Sequence, residues 1–159
     1  MRALIVSDTH GRHDNFAKVY ENFKPFDMVI HAGDVVGEEL WYQMYVDCEL
    51  HMVRGNCDWD SELPTVDTFA FGSHKIFLVH GHRHEVDYDD NVLAWSAKEN
   101  GCDIAIYGHT HVPDDSVVDG VRIINPGSLS RPRQENHRPS FAIFSDDRRG
   151  NLLTSINYL

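Results

Sequence analysis

The pattern that most restricts this chain is a succession of short apolar runs, each stopping at a polar cluster, with helix-length stretches between them over the first two-thirds of the sequence. Strand-length runs that alternate with helical segments imply an α/β fold, because neither element can bury its apolar side alone. Strands are expected over residues 3–6, 28–30 and 50–53, with helices over 15–23 and 38–46 between them. Two runs then follow closely, 68–71 and 75–79, across a Gly72-Ser73 turn that reads as a hairpin. A helix over 89–100 is closed by Gly101, a glycine C-cap, before a strand over 103–107. Short runs at 116–118, 121–124, 141–145 and 152–157, broken by Asp119-Gly120 and other turn residues, predict an antiparallel region. The irregular stretch 130–140, with three arginines and two prolines, reads as a surface loop.

With 159 residues and no repeat, linker or low-complexity tract, one domain over 1–159 is the expected organisation. The three cysteines, Cys48, Cys57 and Cys102, are an odd number without a C-x-x-C pair, which points to a reducing compartment. After Met1 and Arg2 the only apolar run is 3–6, far shorter than a signal-peptide core, and no segment has the length of a membrane span. A cytoplasmic protein with no membrane partner is expected. The formal charge of −11 and the lack of a basic stripe argue against stable nucleic-acid binding.

The chemistry sits where the runs stop. Residues 3–6 deliver Asp8 and His10, 28–30 deliver Gly33-Asp34, and 50–53 deliver Gly55-Asn56. His80 follows 75–79, and Gly108-His109-Thr110-His111 follows 103–107. Ligands of open α/β sheets gather beyond the carboxyl ends of the strands, so seven side chains would meet at one edge if these strands share a sheet. A single Asp or His at a strand end is ordinary turn or cap chemistry. Packing gives no reason for Asp8, His10, Asp34, Asn56, His80, His109 and His111 in succession, and a metal centre does. Seven mixed imidazole, carboxylate and amide ligands exceed a tetrahedral structural zinc site and suit two neighbouring ions bridged by a carboxylate. Such a pair activates water for attack on phosphorus and stabilises the developing charge.

The order D-x-H, G-D, G-N, H and G-H-x-H resembles the calcineurin-like metallophosphoesterase superfamily. Gly55-Asn56-Cys57-Asp58, His80-Gly81-His82, Tyr107 to His111 and Asn125-Pro126-Gly127-Ser128 resemble its small YfcE-like branch. The resemblance implies a four-layered α-β-β-α sandwich of two stacked mixed sheets flanked by helices. It also implies one metal held by Asp8, His10, Asp34 and His111, and a second held by Asp34, Asn56, His80 and His109, with Asp34 as the bridge. Of the residues placed in catalysis, Asp34 and Asn56 act through the metals, and His82 is expected to contact the phosphate. Manganese is placed first as the divalent ion, with iron, zinc, nickel and cobalt suited to the same ligands. The implied activity is hydrolysis of small phosphodiesters. Two alternatives stay open: a phosphomonoesterase or nucleotide-polyphosphate hydrolase, and a protein-interaction scaffold like the retromer subunit Vps29. Homo-oligomer formation is left open as well. In one respect the pattern departs: larger members of the superfamily carry a histidine after the asparagine of the G-N motif, suggested to protonate the leaving group, where this chain has Cys57. A buried apolar role is expected for Cys57, since free cysteines are often buried. Asp58 is considered as a carboxylate orienting a ligand histidine. His31 is expected to pack beside the Asp34 turn, and His13, His51, His74 and His137 to be structural or solvent-facing.

Overall fold

The structure, a computed structural model describing residues 1–147 and 149–159, has ten strands and three helices. In chain order these are β1 (Arg2–Val6), α1 (Asp14–Phe23), β2 (Met28–His31), α2 (Glu39–Tyr45), β3 (Glu49–Met52), β4 (Val66–Phe71), β5 (His74–Val79), α3 (Asn91–Glu99), β6 (Ile104–Ile106), β7 (Asp114–Val118), β8 (Val121–Asn125), β9 (Ser140–Asp146) and β10 (Leu152–Tyr158). One five-stranded sheet has the order β10-β9-β1-β2-β3 and the other β4-β5-β6-β8-β7.

Strand alternation decides the layering. In β1, Ala3 and Ile5 pack with Ile76, Leu78, Ile104 and Ile106 of the second sheet, whereas Leu4 and Val6 pack on the opposite face with Phe16, Val19 and Tyr20 of α1. The outer face of the second sheet, with Phe77 and Ala105, buries Leu93, Ala94 and Ala97 of α3. The result is four layers, α1 and α2, sheet, sheet, α3, as the resemblance implied. Both faces of β1, β2 and β5 are covered, so these strands are continuous apolar runs rather than alternating ones.

Helix α1 has no side-chain cap at its N-cap residue His13. A cap is worth about 1 kcal/mol, while burying Phe16, Val19 and Tyr20 stabilises by about 1.5–3 kcal/mol for a side chain of that size. Packing, not capping, holds this helix, and Phe16→Ala is the single change that would most disturb it.

Two expectations are corrected by the topology. The strands that deliver the candidate ligands do not share a sheet: β1, β2 and β3 are parallel neighbours in one, and β5 and β6 are parallel neighbours in the other. The ligands meet because the two stacked sheets bring the carboxyl ends of both parallel sets to the same edge. The expected antiparallel region is likewise divided, with β9–β10 extending the first sheet and β7–β8 the second. Apolar alternation specifies that a strand has a buried face but not which sheet provides it.

Candidate metal centre

Each candidate ligand lies one to five residues beyond the end of a strand, on a loop whose backbone is under constraint. Asp8, His10, Asp34, His109 and His111 all have positive φ, between 48° and 67°. The left-handed conformation costs a non-glycine residue about 1–2 kcal/mol, and such residues persist where surrounding contacts over-determine them. Those contacts are present. The N–H of Asp8 donates to Gly33 O at 3.0 Å, and that of His10 to Asp34 O at 2.9 Å. The carbonyl of Asp8 accepts from Ser128 Oγ at 2.8 Å and Ser130 Oγ at 2.9 Å. Asn125 Nδ2 donates to Gly108 O at 2.9 Å, tying the loop after β6 to the end of β8. These contacts place the Asn125 to Ser128 segment as the underside of the site.

Glycine is required where two of these loops touch. A Cβ on Gly55 would lie 2.1 Å from Asp34 Oδ1, and one on Gly108 would lie 1.9 Å from Ser7 Oγ. Neither neighbour is the free end of a flexible chain, so a side chain at either position would displace the site.

Asp8, His10, Asp34 and His111 present ligand atoms that all lie within 4.8 Å of one another. The separations include 3.1 Å from His111 Nε2 to Asp8 Oδ1, 3.7 Å from His10 Nε2 to Asp34 Oδ2, and 3.3 Å between the two histidine Nε2 atoms. Asp34 Oδ2 also lies 3.4 Å from His80 Nε2. Asn56 Oδ1 is 3.0 Å from both His80 Nε2 and His109 Nδ1. All seven sequence-predicted ligands therefore converge, with Asp34 between the two groups.

The donor set fits a cation. His80 Nδ1 donates to Ala32 O at 2.7 Å, and His111 Nδ1 to Arg131 O at 2.6 Å. A carbonyl only accepts, so those nitrogens carry the protons and each Nε2 turns a lone pair into the site. Asp8 Oδ1 is buried without a hydrogen-bond donor. Several lone pairs thus face one another at close range, which is costly in a buried site unless positive charge lies between them.

Titration follows from the same contacts. Burial raises the Asp34 pKa, but the His80 contacts and the N–H of Cys57 outweigh it and hold the carboxyl below its usual range. For Asp8 too, burial is outweighed, here by His111, His80 and Ser7, and the pKa is lowered. His82 is pushed down to about 4, by burial first and then by His80 and Arg83.

His82 is half-buried at the rim, its ring 5.5 Å from that of His80 and 6.2 Å from that of His109, centroid to centroid. Cys57 is not the buried apolar residue expected: it is half-buried beside the site, with its N–H donating to Asp34 Oδ1 at 2.8 Å. Burial, and then the Asp34 charge, push its thiol up to about 11. Nor does Asp58 orient a histidine. Its buried carboxylate accepts the backbone N–H groups of Asp34 at 2.9 Å, Val36 at 2.6 Å and Gly55 at 2.7 Å, clamping the two loops together. Three backbone donors occupy most of its acceptor positions, and among the described residues no imidazole bonds to it. His31 lies beside the Asp34 turn as expected, 3.0 Å from Thr9 Oγ1 and accepting the Gly33 N–H at 3.2 Å. His13 stacks on Trp41, His51 stacks on Phe69, His74 pairs with Asp103, and His137 is exposed.

Two residues at the site escaped the sequence reading. Asp87 Oδ2 lies 3.0 Å from His109 Nε2, which turns Nδ1 toward Asn56. Arg131 supplies the carbonyl that fixes His111. Both lie in irregular segments, where no periodicity marks a residue as facing inward.

A family model for the calcineurin-like phosphoesterase superfamily domain matches residues 1–149, nearly the whole chain. The chain belongs to the calcineurin-like phosphoesterase superfamily. Within it, a probable metallophosphoesterase of Mycoplasma pneumoniae is 35% identical over 88% of this chain and 86% of its own. The phosphodiesterase MJ0936 of Methanocaldococcus jannaschii is 31% identical over 80% of this chain and 83% of its own. Among solved structures, a predicted phosphoesterase from Streptococcus pneumoniae superposes with a TM-score of 0.80 at 25% identity, covering 99% of this chain and 97% of that one. Vps29 of Entamoeba histolytica, as a single mutant, superposes with a TM-score of 0.79 at 24% identity, covering 100% and 99% of the two chains, a likeness of fold. The calcineurin-like fold is thus common to phosphoesterases and to Vps29, and only the site can separate their activities.

Proposed function

We propose that this chain hydrolyses phosphodiester bonds with two divalent metal ions. The observation that supports it best is the position of Asp34 Oδ2, 3.7 Å from His10 Nε2 and 3.4 Å from His80 Nε2, between two sets of inward-facing lone pairs. Asp8, His10, Asp34 and His111 would hold one ion, and Asp34, Asn56, His80 and His109 the other. When bound, such a pair supplies Lewis-acid stabilisation of the attacked phosphate and an activated water nucleophile. The protein's own part is to keep the carboxylate ligands charged and the imidazoles aimed. Low pKa values at Asp8 and Asp34 keep both carboxylates charged at neutral pH, and the backbone carbonyls of Ala32 and Arg131 keep His80 and His111 in the ligating tautomer. His82, at the rim and neutral at physiological pH, is assigned to contact the phosphate as a hydrogen-bonding group rather than a charge.

A diester is preferred to a monoester because the relative from Methanocaldococcus jannaschii is itself called a phosphodiesterase. The experiment is a paired assay of bis(p-nitrophenyl) phosphate and p-nitrophenyl phosphate after loading with manganese, with metal content measured on the same samples. Diester turnover that requires metal and is lost in Asp34→Ala is expected. No hydrolysis at full metal loading would favour the scaffold reading instead.

A further inference from the structure

An open cleft of about 660 Å³ lies beside the candidate metal centre, walled by the segment after β2, the first residues of α2 and the segment after β3. Its position follows from the same loops that carry Asp34 and Asn56. Cys57 and Asp58 line the cleft, while the N–H of Cys57 contacts Asp34 and the carboxylate of Asp58 clamps the Asp34 turn. A ligand group in the cleft is therefore one residue from the proposed ligands. The volume suits the organic part of a small ester.

The lining combines two features. Its apolar side chains are exposed, with Trp59 81%, Leu40 66% and Val36 40% accessible. Single exposed apolar residues are ordinary, but grouped exposure marks a contact surface. Among the described residues its charges are all negative: Glu39, Asp58, Asp60 and Glu62 line it, and no lysine or arginine does. Arg54 stands beside the cleft and donates to the Trp59 carbonyl at 3.3 Å.

An exposed indole among carboxylates attracts a particular chemistry. A neutral aromatic group would cover the apolar wall and leave the carboxylates unanswered. A nucleotide or other polyanion would be repelled by them. An ammonium group with an apolar surface satisfies both, through cation–π attraction to the indole and Coulomb attraction to the acids. We propose that this cleft receives the ammonium-bearing organic group of a zwitterionic phosphodiester, with Trp59 as its face and Glu39, Asp60 and Glu62 as its counter-charges. The proposal rests on the phosphodiesterase reading above and extends it to a substrate class.

The test uses two esters of one shape, choline p-nitrophenyl phosphate and 3,3-dimethylbutyl p-nitrophenyl phosphate, in which a carbon replaces the charged nitrogen. With metal-loaded protein, kcat/KM for the choline ester should exceed that for its isostere about fivefold or more. That ratio should fall toward one in Trp59→Ala and in the double variant Glu39→Gln, Glu62→Gln, whatever happens to absolute rates. A wild-type ratio of one or less, or a ratio that Trp59→Ala leaves intact, overturns the proposal. A second readout needs no turnover: tryptophan fluorescence titrated with tetramethylammonium chloride, against sodium chloride as control. Saturable change in wild type that disappears in Trp59→Ala, with circular dichroism unchanged, supports the cleft even if neither ester is hydrolysed, and in that case the phosphodiesterase reading alone fails. Hydrolysis of both esters without preference, and without a fluorescence change, leaves the phosphodiesterase reading standing and removes this one.

Discussion

The two halves of the candidate centre are built differently. Asp8, Asp34 and His111 are almost fully buried, and Asp8 and His111 are held by hydrogen bonds to Ser128, Ser130 and the Arg131 carbonyl. On the other side His80 is equally buried, but Asn56 is exposed and His109 half-buried, and the residue that steadies His109 is Asp87, with 60% of its side chain accessible. Buried ligands are pre-organised and poorly exchanged with water, while exposed ones are freer to reorient and to admit substrate. If two ions bind as proposed, the one on the side of Asn56 and His109, which opens toward the Cys57 cleft, should exchange faster than the other.

Asp34→Asn should have the largest effect, because it removes charge from the one residue placed in both halves. Turnover of bis(p-nitrophenyl) phosphate should fall by at least about a hundredfold, the scale on which losing an electrostatic stabiliser acts, with loss of both ions by elemental analysis. His10→Ala, confined to one half, should cost less. Near-normal turnover and metal content in Asp34→Asn would remove the bridge and with it the comparison.

The two terminal histidines of the G-H-x-H motif separate the halves next. His109→Ala should retain close to one ion per chain, whereas His111→Ala, which opens the buried half, should retain less. If both variants bind the same amount of metal at matched free concentrations, the halves are equivalent and the asymmetry has no functional content.

Chelation sharpens the same point without mutation. Metal release into excess chelator should be biphasic in wild type, with the faster phase missing from His109→Ala. A single phase accounting for both ions would argue against an exposed and a buried site.

Asp87→Ala should have the smallest effect, about a tenfold weaker hold on the exchangeable ion, at the low end for a residue that orients a histidine ligand because Asp87 is solvent-exposed. Asp87→Asn, which keeps an acceptor for the His109 N–H, should recover part of it. Equal loss in both variants would mean that the carboxylate acts through charge rather than by turning the ring.

The difference between the halves also explains which residues could be read in advance. Asp8, His10, Asp34, Asn56, His80, His109 and His111 were all legible because each follows an apolar run within a few residues, a spacing that survives any arrangement of the strands. Asp87 and Arg131 were not, since each reaches its histidine across about twenty residues of chain, at separations of 22 and 20 positions. Asp58 has other partners than the histidine expected for it. Its sequence neighbours suggest a loop carboxylate beside a metal ligand, and only the packing of the β2 and β3 loops shows three backbone N–H groups converging on it. A cysteine's residue type favours burial, yet the cleft beside Cys57 leaves it partly exposed.

What the sequence determined by itself was local: the apolar runs, the glycines that let loops approach, and a family pattern whose ligands appear in order from Asp8 to His111. Tertiary structure decided how five ligand-bearing strands divide between two sheets, that the carboxyl ends of both parallel sets reach one edge, and which acids face water beside Trp59. The physical reason is that strand periodicity records only that one face is buried. Whether the covering face is a helix or another sheet depends on contacts such as those of Ile5 with the second sheet and Val6 with α1, adjacent residues that the pleat sends to opposite layers.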